Sequence, residues 1–187
     1  MPEFIPAILP TSIEDLEAKV AKIPAELNYI HLDVLENGYW SRINKDFEVH
    51  LMVPNPNEIF QLWVERGAKR VIVHEISKEM LAYRGEVELG LAFELSVPIE
   101  SVLAQAEFAD FVHVMAIAEI GAQGHPLDPR VFDRIKTLQD KFPNLPISVD
   151  GGITAQNYMK LIELGADRLV IGSHFDEVWS SLNSHGA

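Results

Sequence analysis

Two stretches of the chain, "ERGAKRVIVH" (65–74) and "ELGADRLVIG" (163–172), repeat one device: a helix end, Gly-Ala, a charged residue, then an apolar, β-branched run. Such a joint stops a helix on a glycine and starts a strand at once. Repeated helix-to-strand joints build a chain of βα units, and so an α/β protein with a parallel sheet. Strand-like runs recur at 4–9, 29–34, 47–53, 70–76, 87–94, 111–117, 146–151 and 168–173. Several are apolar throughout, as strands covered on both faces must be. Helical periodicity is clearest at 12–23, 56–67, 98–106, 128–142 and 154–165. Ser12 (with Asp15) and Thr154 are predicted N-caps, and Gly67 and Gly165 sit where C-terminal caps belong.

Eight strands in this order predict one α/β domain over residues 1–187, a (β/α)8 TIM barrel, with a doubly wound open sheet as the alternative. A full barrel takes at least about 200 residues, and this chain has 187. The shortfall has an address. "LENGYWSRINKD" (35–46) has no room for a crossover helix, and "SKEMLAYRGE" (77–86) holds one or two turns. The expectation is a trimmed barrel, with the helix after strand 2 missing and the one after strand 4 shortened. A bare outer wall there favours a homodimer. Tyr39 and Trp40 lie in the gap, as a plug or an interface anchor.

The formal net charge is −13, and the 15 Lys and Arg are scattered, which argues against a nucleic-acid partner. No apolar run is long enough to span a membrane, and "MPEFIPAILP" lacks a signal peptide's basic and apolar regions. A cytoplasmic protein with no membrane partner is expected. The absence of cysteine excludes disulfides, thiolate metal sites and a cysteine nucleophile.

In "YIHLDV", His31 and Asp33 share one face of a strand. Alone, the pair reads as the wet face of an edge strand. His50 on strand 3 and Asp150 on strand 7 change that, because barrel enzymes place their sites at the C-terminal ends of strands. Two imidazoles and two carboxylates converging there suit one divalent metal ion: zinc, iron, manganese or cobalt. The two aspartates also suit proton chemistry, one removing a proton from a planar intermediate and the other returning one. The competing reading is a set of separate core or loop polar groups. "DGGI" (150–153) and "VIGSHF" (170–175) bring the backbone N–H groups of Gly151, Gly152, Gly172 and Ser173 to the strand 7 and 8 loops, where barrels bind phosphate. His74 reads equally as structural or as a substrate contact. His113, mid-strand, reads as structural, and His125 as a loop residue. Met52 and Met115 line a pocket or pack the core.

The motifs "IHLDV", "VHLMVPNP", "VHEIS", "ISVDGGIT" and "LVIGS", in order from "PAIL" to "IGS", resemble the ribulose-phosphate 3-epimerase family. The resemblance implies a (β/α)8 barrel that uses a divalent metal and two aspartates to interconvert D-ribulose 5-phosphate and D-xylulose 5-phosphate through an enediolate. It places the metal ligands on His31, Asp33, His50 and Asp150, and the acid–base pair on Asp33 and Asp150. It places the substrate and its phosphate against Met52, Gly121, Gly124, Gly151, Gly152, Gly172 and Ser173. The chain departs from the family pattern at Ala7, where a serine is usual, and at Leu35, where a methionine is usual. It is also shortened after strand 2. In "AEIGAQGH" (118–125), Glu119, Gly121 and Gly124 align with "EPGFGG", but the proline, the aromatic and one glycine are gone. The metal and acid–base core is kept, while the envelope around a small phosphorylated sugar is altered. The alternative expectation is a non-catalytic or differently specific barrel that keeps the metal site for binding or interaction.

Overall fold

The computed structural model describes residues 2–36, 38–117 and 124–184. Eight strands form the sheet: β1 (Glu3–Ile8), β2 (Tyr29–Val34), β3 (Asp46–Leu51), β4 (Arg70–Val73), β5 (Glu88–Glu94), β6 (Phe111–Met115), β7 (Ile147–Asp150) and β8 (Arg168–Ile171). Each pairs in parallel with the next, and β8 pairs with β1. The sheet is therefore a closed barrel, and the open-sheet alternative is excluded. Around it lie α1 (Ile13–Lys22), α2 (Asn57–Glu65), α3 (Ile99–Ala106), α4 (Arg130–Lys141), α5 (Tyr158–Glu163) and α6 (Phe175–Ser184).

Among the described residues no helix joins β2 to β3, and β4 reaches β5 through a single 3-10 turn, Met80–Tyr83. The trimming is where the sequence puts it. The gap left by the absent helix is filled from within. Trp40 packs against Phe47 at 5.1 Å and meets Trp63 edge-on at 5.4 Å between centroids, while the Arg66 guanidinium lies over both indoles. Of its two predicted roles, Trp40 fills that of a plug.

Local signals mostly hold. The Ser12 hydroxyl accepts from the Asp15 N–H at 3.1 Å and starts α1. Gly67 and Gly165 take φ of +94° and +104° after α2 and α5, a conformation that costs other residues a Cβ clash. Thr154 is a correction. Helix α5 begins four residues later, at Tyr158, because Asn157 binds backward: its Oδ1 accepts from the Thr154 N–H and its amide donates to the Gly152 carbonyl. That side chain ties down the turn after β7. Helix α6, which the sequence reading passes over, buries Phe175 and Val178 and packs Trp179 and Leu182 on the same core.

Two apolar layers lie between barrel and helices, one beneath the first half of the chain and one beneath the second. Inside the barrel the filling differs. Ile72, Ala92 and Phe111 form a small apolar plug. A Cβ at Gly90 would lie 2.5 Å from the Phe111 ring, so a glycine is required for the ring to fit. Below the plug, at the N-terminal floor, Arg70 binds Glu3, Glu48 and Glu88, and Arg168 binds Glu88 at 3.0 Å. Among the described residues no helix is long and apolar enough to cross a membrane.

Candidate metal centre and substrate pocket

Alternation along parallel strands aims the site residues into the barrel. Asp33 pairs in register with His50 across β2 and β3, and Met115 with Asp150 across β6 and β7. One level down, His31 pairs with Glu48 and His113 with Ser148. His31, His50 and His113 are fully buried, and Asp33 and Asp150 are exposed only at the mouth.

His31 Nε2 lies 3.3 Å from Asp33 Oδ1, and its Nδ1 lies 2.8 Å from Glu48 Oε1. A carboxylate accepts only, so the His31 Nδ1–H donates to Glu48, and Nε2, facing the mouth, donates to Asp33 as long as the ring keeps both protons. His50 Nε2 meets His74 Nε2 at 3.0 Å, while His50 Nδ1 is buried without a hydrogen-bond partner, 3.9 Å from Asp33 Oδ1. His113 Nε2 lies 3.4 Å from Asp150 Oδ2, with Nδ1 3.2 Å from the Ser148 hydroxyl.

The electrostatics of this cluster differ from one group to the next. Burial pushes Asp33 above the usual carboxylate range, and the Asp150 carboxylate adds to that push against the pull of His31. Burial alone would lower His31, but its bonds to Asp33 and Glu48 override it and hold the imidazole well above its ordinary value. Positive charge is thus favoured between His31 and Asp33. Burial, joined by the charges of His113, His31 and His74, pushes His50 well below its ordinary value. His50 is therefore a neutral imidazole with a free lone pair, the form a metal requires.

His31, His50, His113 and Asp150 each bring a donor atom to within 4.8 Å of the others. The group could hold a metal ion, and the orphaned His50 Nδ1 fits that use: an unpaired buried nitrogen costs free energy unless something binds it. Three of the four ligands expected from sequence belong to this group. The fourth, Asp33, adjoins it through His31 and His50. His113, read from sequence as structural because it sits mid-strand, is instead part of the cluster. The signal that would have found it is its in-register pairing two residues below Asp150.

Above the cluster opens a pocket lined by Asp33, Asp150, Met52 and Ala7 together with Gly124, Gly151, Gly152, Gly172 and Ser173. His125 and His174 also border it. Gly151 and Gly152 take φ of +93° and +67°, and a Cβ on Gly152 would strike the Leu127 backbone. Only glycine lets this turn lie so close to the loop opposite. Gly121 and Glu119 lie outside the described residues. His74 borders a neighbouring cleft with Glu75 and Glu94, and touches the centre only through His50.

The closed barrel, with imidazoles and carboxylates gathered at the C-terminal mouth beside a glycine-lined pocket, defines a (β/α)8-barrel enzyme. A profile described as the ribulose-phosphate 3 epimerase family matches residues 3–175. The ribulose-phosphate 3-epimerase of Chlamydia pneumoniae is 32% identical over 200 residues, covering 92% of this chain and 86% of that protein. The enzyme of the same name from Aquifex aeolicus is 25% identical, over 82% of this chain and 79% of its own. Solved barrels superpose at lower identity and show the fold alone. They include a mutant tryptophan synthase α-subunit from Pyrococcus furiosus, with TM-score 0.69, 13% identity, and 97% and 96% of the two chains covered. This chain belongs to the ribulose-phosphate 3-epimerase family.

Proposed function

We propose that this protein epimerises a small ketose phosphate, by default D-ribulose 5-phosphate to D-xylulose 5-phosphate, with Asp33 and Asp150 as the acid–base pair. One observation carries the reading. Asp33 and Asp150 reach the same pocket from strands on different sides of the mouth, with the imidazole cluster between and beneath them. One carboxylate takes the proton from the carbon next to the carbonyl, and the other delivers a proton to the opposite face. Asp33, raised by burial and by the Asp150 charge, moves toward a value at which it both accepts and gives up a proton.

His31 Nε2, His50 Nδ1, Asp33 and Asp150 would hold the divalent ion. Bound there, the ion supplies a fixed positive charge for the oxygen that becomes negative as the neighbouring carbon is deprotonated. The phosphate is held at the far side by the backbone of Gly151, Gly152, Gly172 and Ser173, beside the start of α6. Ala7 lines this pocket and Leu35 the adjoining cleft beside Asp33, so both substitutions bear on the sugar end of the envelope.

The test is an epimerase assay on ribulose 5-phosphate with metal analysis, wild type beside Asp150→Asn. Turnover by the metal-loaded wild type and its loss in the variant are expected. Stoichiometric metal with no turnover on pentulose or hexulose phosphates would overturn the reading in favour of a binding protein.

A further inference from the structure

The three buried imidazoles of the cluster are wired alike. His31 gives its Nδ1–H to Glu48 at 2.8 Å and turns Nε2 inward. His50 spends Nε2 on His74 at 3.0 Å and leaves Nδ1 without a partner. His113 sets Nδ1 against the Ser148 hydroxyl at 3.2 Å and turns Nε2 toward Asp150. In each ring one nitrogen is occupied by a partner on or just past a neighbouring strand, and the other stands within the group that could hold a metal. That is how metal-binding histidines are set, with the outer N–H fixing tautomer and ring orientation. His113 thus sets its inward nitrogen beside a carboxylate of the same centre, at 3.4 Å from Asp150 Oδ2.

From this we infer that His113 is a third histidine ligand of the centre, its Nε2 joining His31, His50, Asp33 and Asp150. The inference rests on the metal reading above and extends it. Distances agree. Donors bound at about 2.1 Å to one ion lie roughly 3–4 Å from one another. His31 Nε2 is 3.3 Å from Asp33 Oδ1, and His113 Nε2 is 3.4 Å from Asp150 Oδ2. Both contacts are long for hydrogen bonds to a carboxylate and right for two ligands of one ion. The rings also surround one point: the His113 centroid lies 5.4 Å from that of His31 and 5.0 Å from that of His50. Charge agrees as well. Two carboxylates balance a divalent ion, and a further neutral imidazole adds a bond without adding charge to a buried site. Three nitrogens and two carboxylates favour zinc, cobalt or iron over magnesium and calcium.

The probe is Co(II) added to the metal-free protein. X-ray absorption at the cobalt edge counts bound imidazoles, and calorimetry gives affinity, neither needing activity. Three imidazoles are expected in the wild type and two in both His113→Leu and His113→Gln. The glutamine keeps a hydrogen-bonding group for Ser148 and guards against a folding defect. Affinity should fall by more than about 100-fold, beyond the 10–100-fold cost of losing an outer partner. Two imidazoles in the wild type would overturn the inference and leave the metal reading standing, whatever the variants do. No Co(II) uptake at all would overturn both.

Discussion

At the floor of the barrel, Glu3, Glu48 and Glu88 each face a guanidinium of Arg70 or Arg168, at 2.9 to 3.2 Å. At the mouth, Asp33 and Asp150 face the imidazole nitrogens of His31 and His113, and the His50 Nδ1 beside them has no hydrogen-bond partner. Both ends of one interior are crowded with ionisable groups, yet at the floor each of these carboxylates has a guanidinium, even though Arg168 Nη1 and the Tyr29 hydroxyl stay buried without a hydrogen-bond partner. The floor pairs its charges within the protein. The mouth gathers acceptors around a common point, an arrangement that is costly until a cation enters it. Glu48 joins the two ends, with one oxygen on Arg70 at 3.1 Å and the other on His31 at 2.8 Å. The paired floor thereby fixes the ring that the mouth uses.

If this division is right, damage at the mouth should cost activity and damage at the floor should cost stability. The largest effect is expected from Asp33→Asn and Asp150→Asn, each lowering turnover by about 10²–10⁴-fold or more. Their unfolding midpoints should stay near that of the wild type. Chelation should come next: turnover falls as metal is removed and returns when Zn(II), Co(II) or Mn(II) is restored, as followed by coupled assay and metal analysis. Arg70→Ala leaves the buried Glu48 carboxylate with His31 alone, frees Glu3 and Glu88 of one partner, and should cost about 3–5 kcal/mol in denaturant unfolding. Gly90→Ala, which drives a methyl into Phe111 and Ile72, should cost about 1–3 kcal/mol by the same measurement.

The smallest effect concerns pH. Burial would raise Glu48, but His31 and Arg70 override it and hold its carboxyl below the ordinary value of 4.5. A group lowered on folding stabilises fully above its unfolded pKa, and that stability is lost as pH falls through the folded value. Glu48→Gln should therefore flatten the acid limb of the stability curve below about pH 4.5, where the unfolded carboxyl begins to take up protons. An unchanged acid limb would mean that Glu48 does not couple the floor to the mouth.

Much of this arrangement was legible in the sequence. The helix, glycine, strand joints ending in Gly67 and Gly165 fixed the architecture, and the short segments at 35–46 and 77–86 located the missing wall. The periodicity of Phe175, Val178, Trp179 and Leu182 marks α6 in the sequence as clearly as that of the other helices. The gathering of His31, Asp33, His50 and Asp150 at one mouth was legible where motif and strand end coincide. His113 was not, because its meaning comes from pairing with Ser148 across strands 35 residues apart. A single strand shows only that a residue is mid-run, not which donor atom stands beside it. The delayed start of α5 was hidden for a similar reason, since Asn157 bonds back to Gly152 rather than forward into the helix.

In the proposed reaction Asp33 and Asp150 carry protons on and off one carbon in a shared pocket. The most direct test runs ribulose 5-phosphate with the metal-loaded wild type in D2O and follows the epimerised carbon by proton NMR. The account requires one solvent deuterium at that carbon in the xylulose 5-phosphate formed, and no epimerised product from Asp150→Asn. Product that keeps its original hydrogen, or undiminished epimerisation by Asp150→Asn, would contradict it.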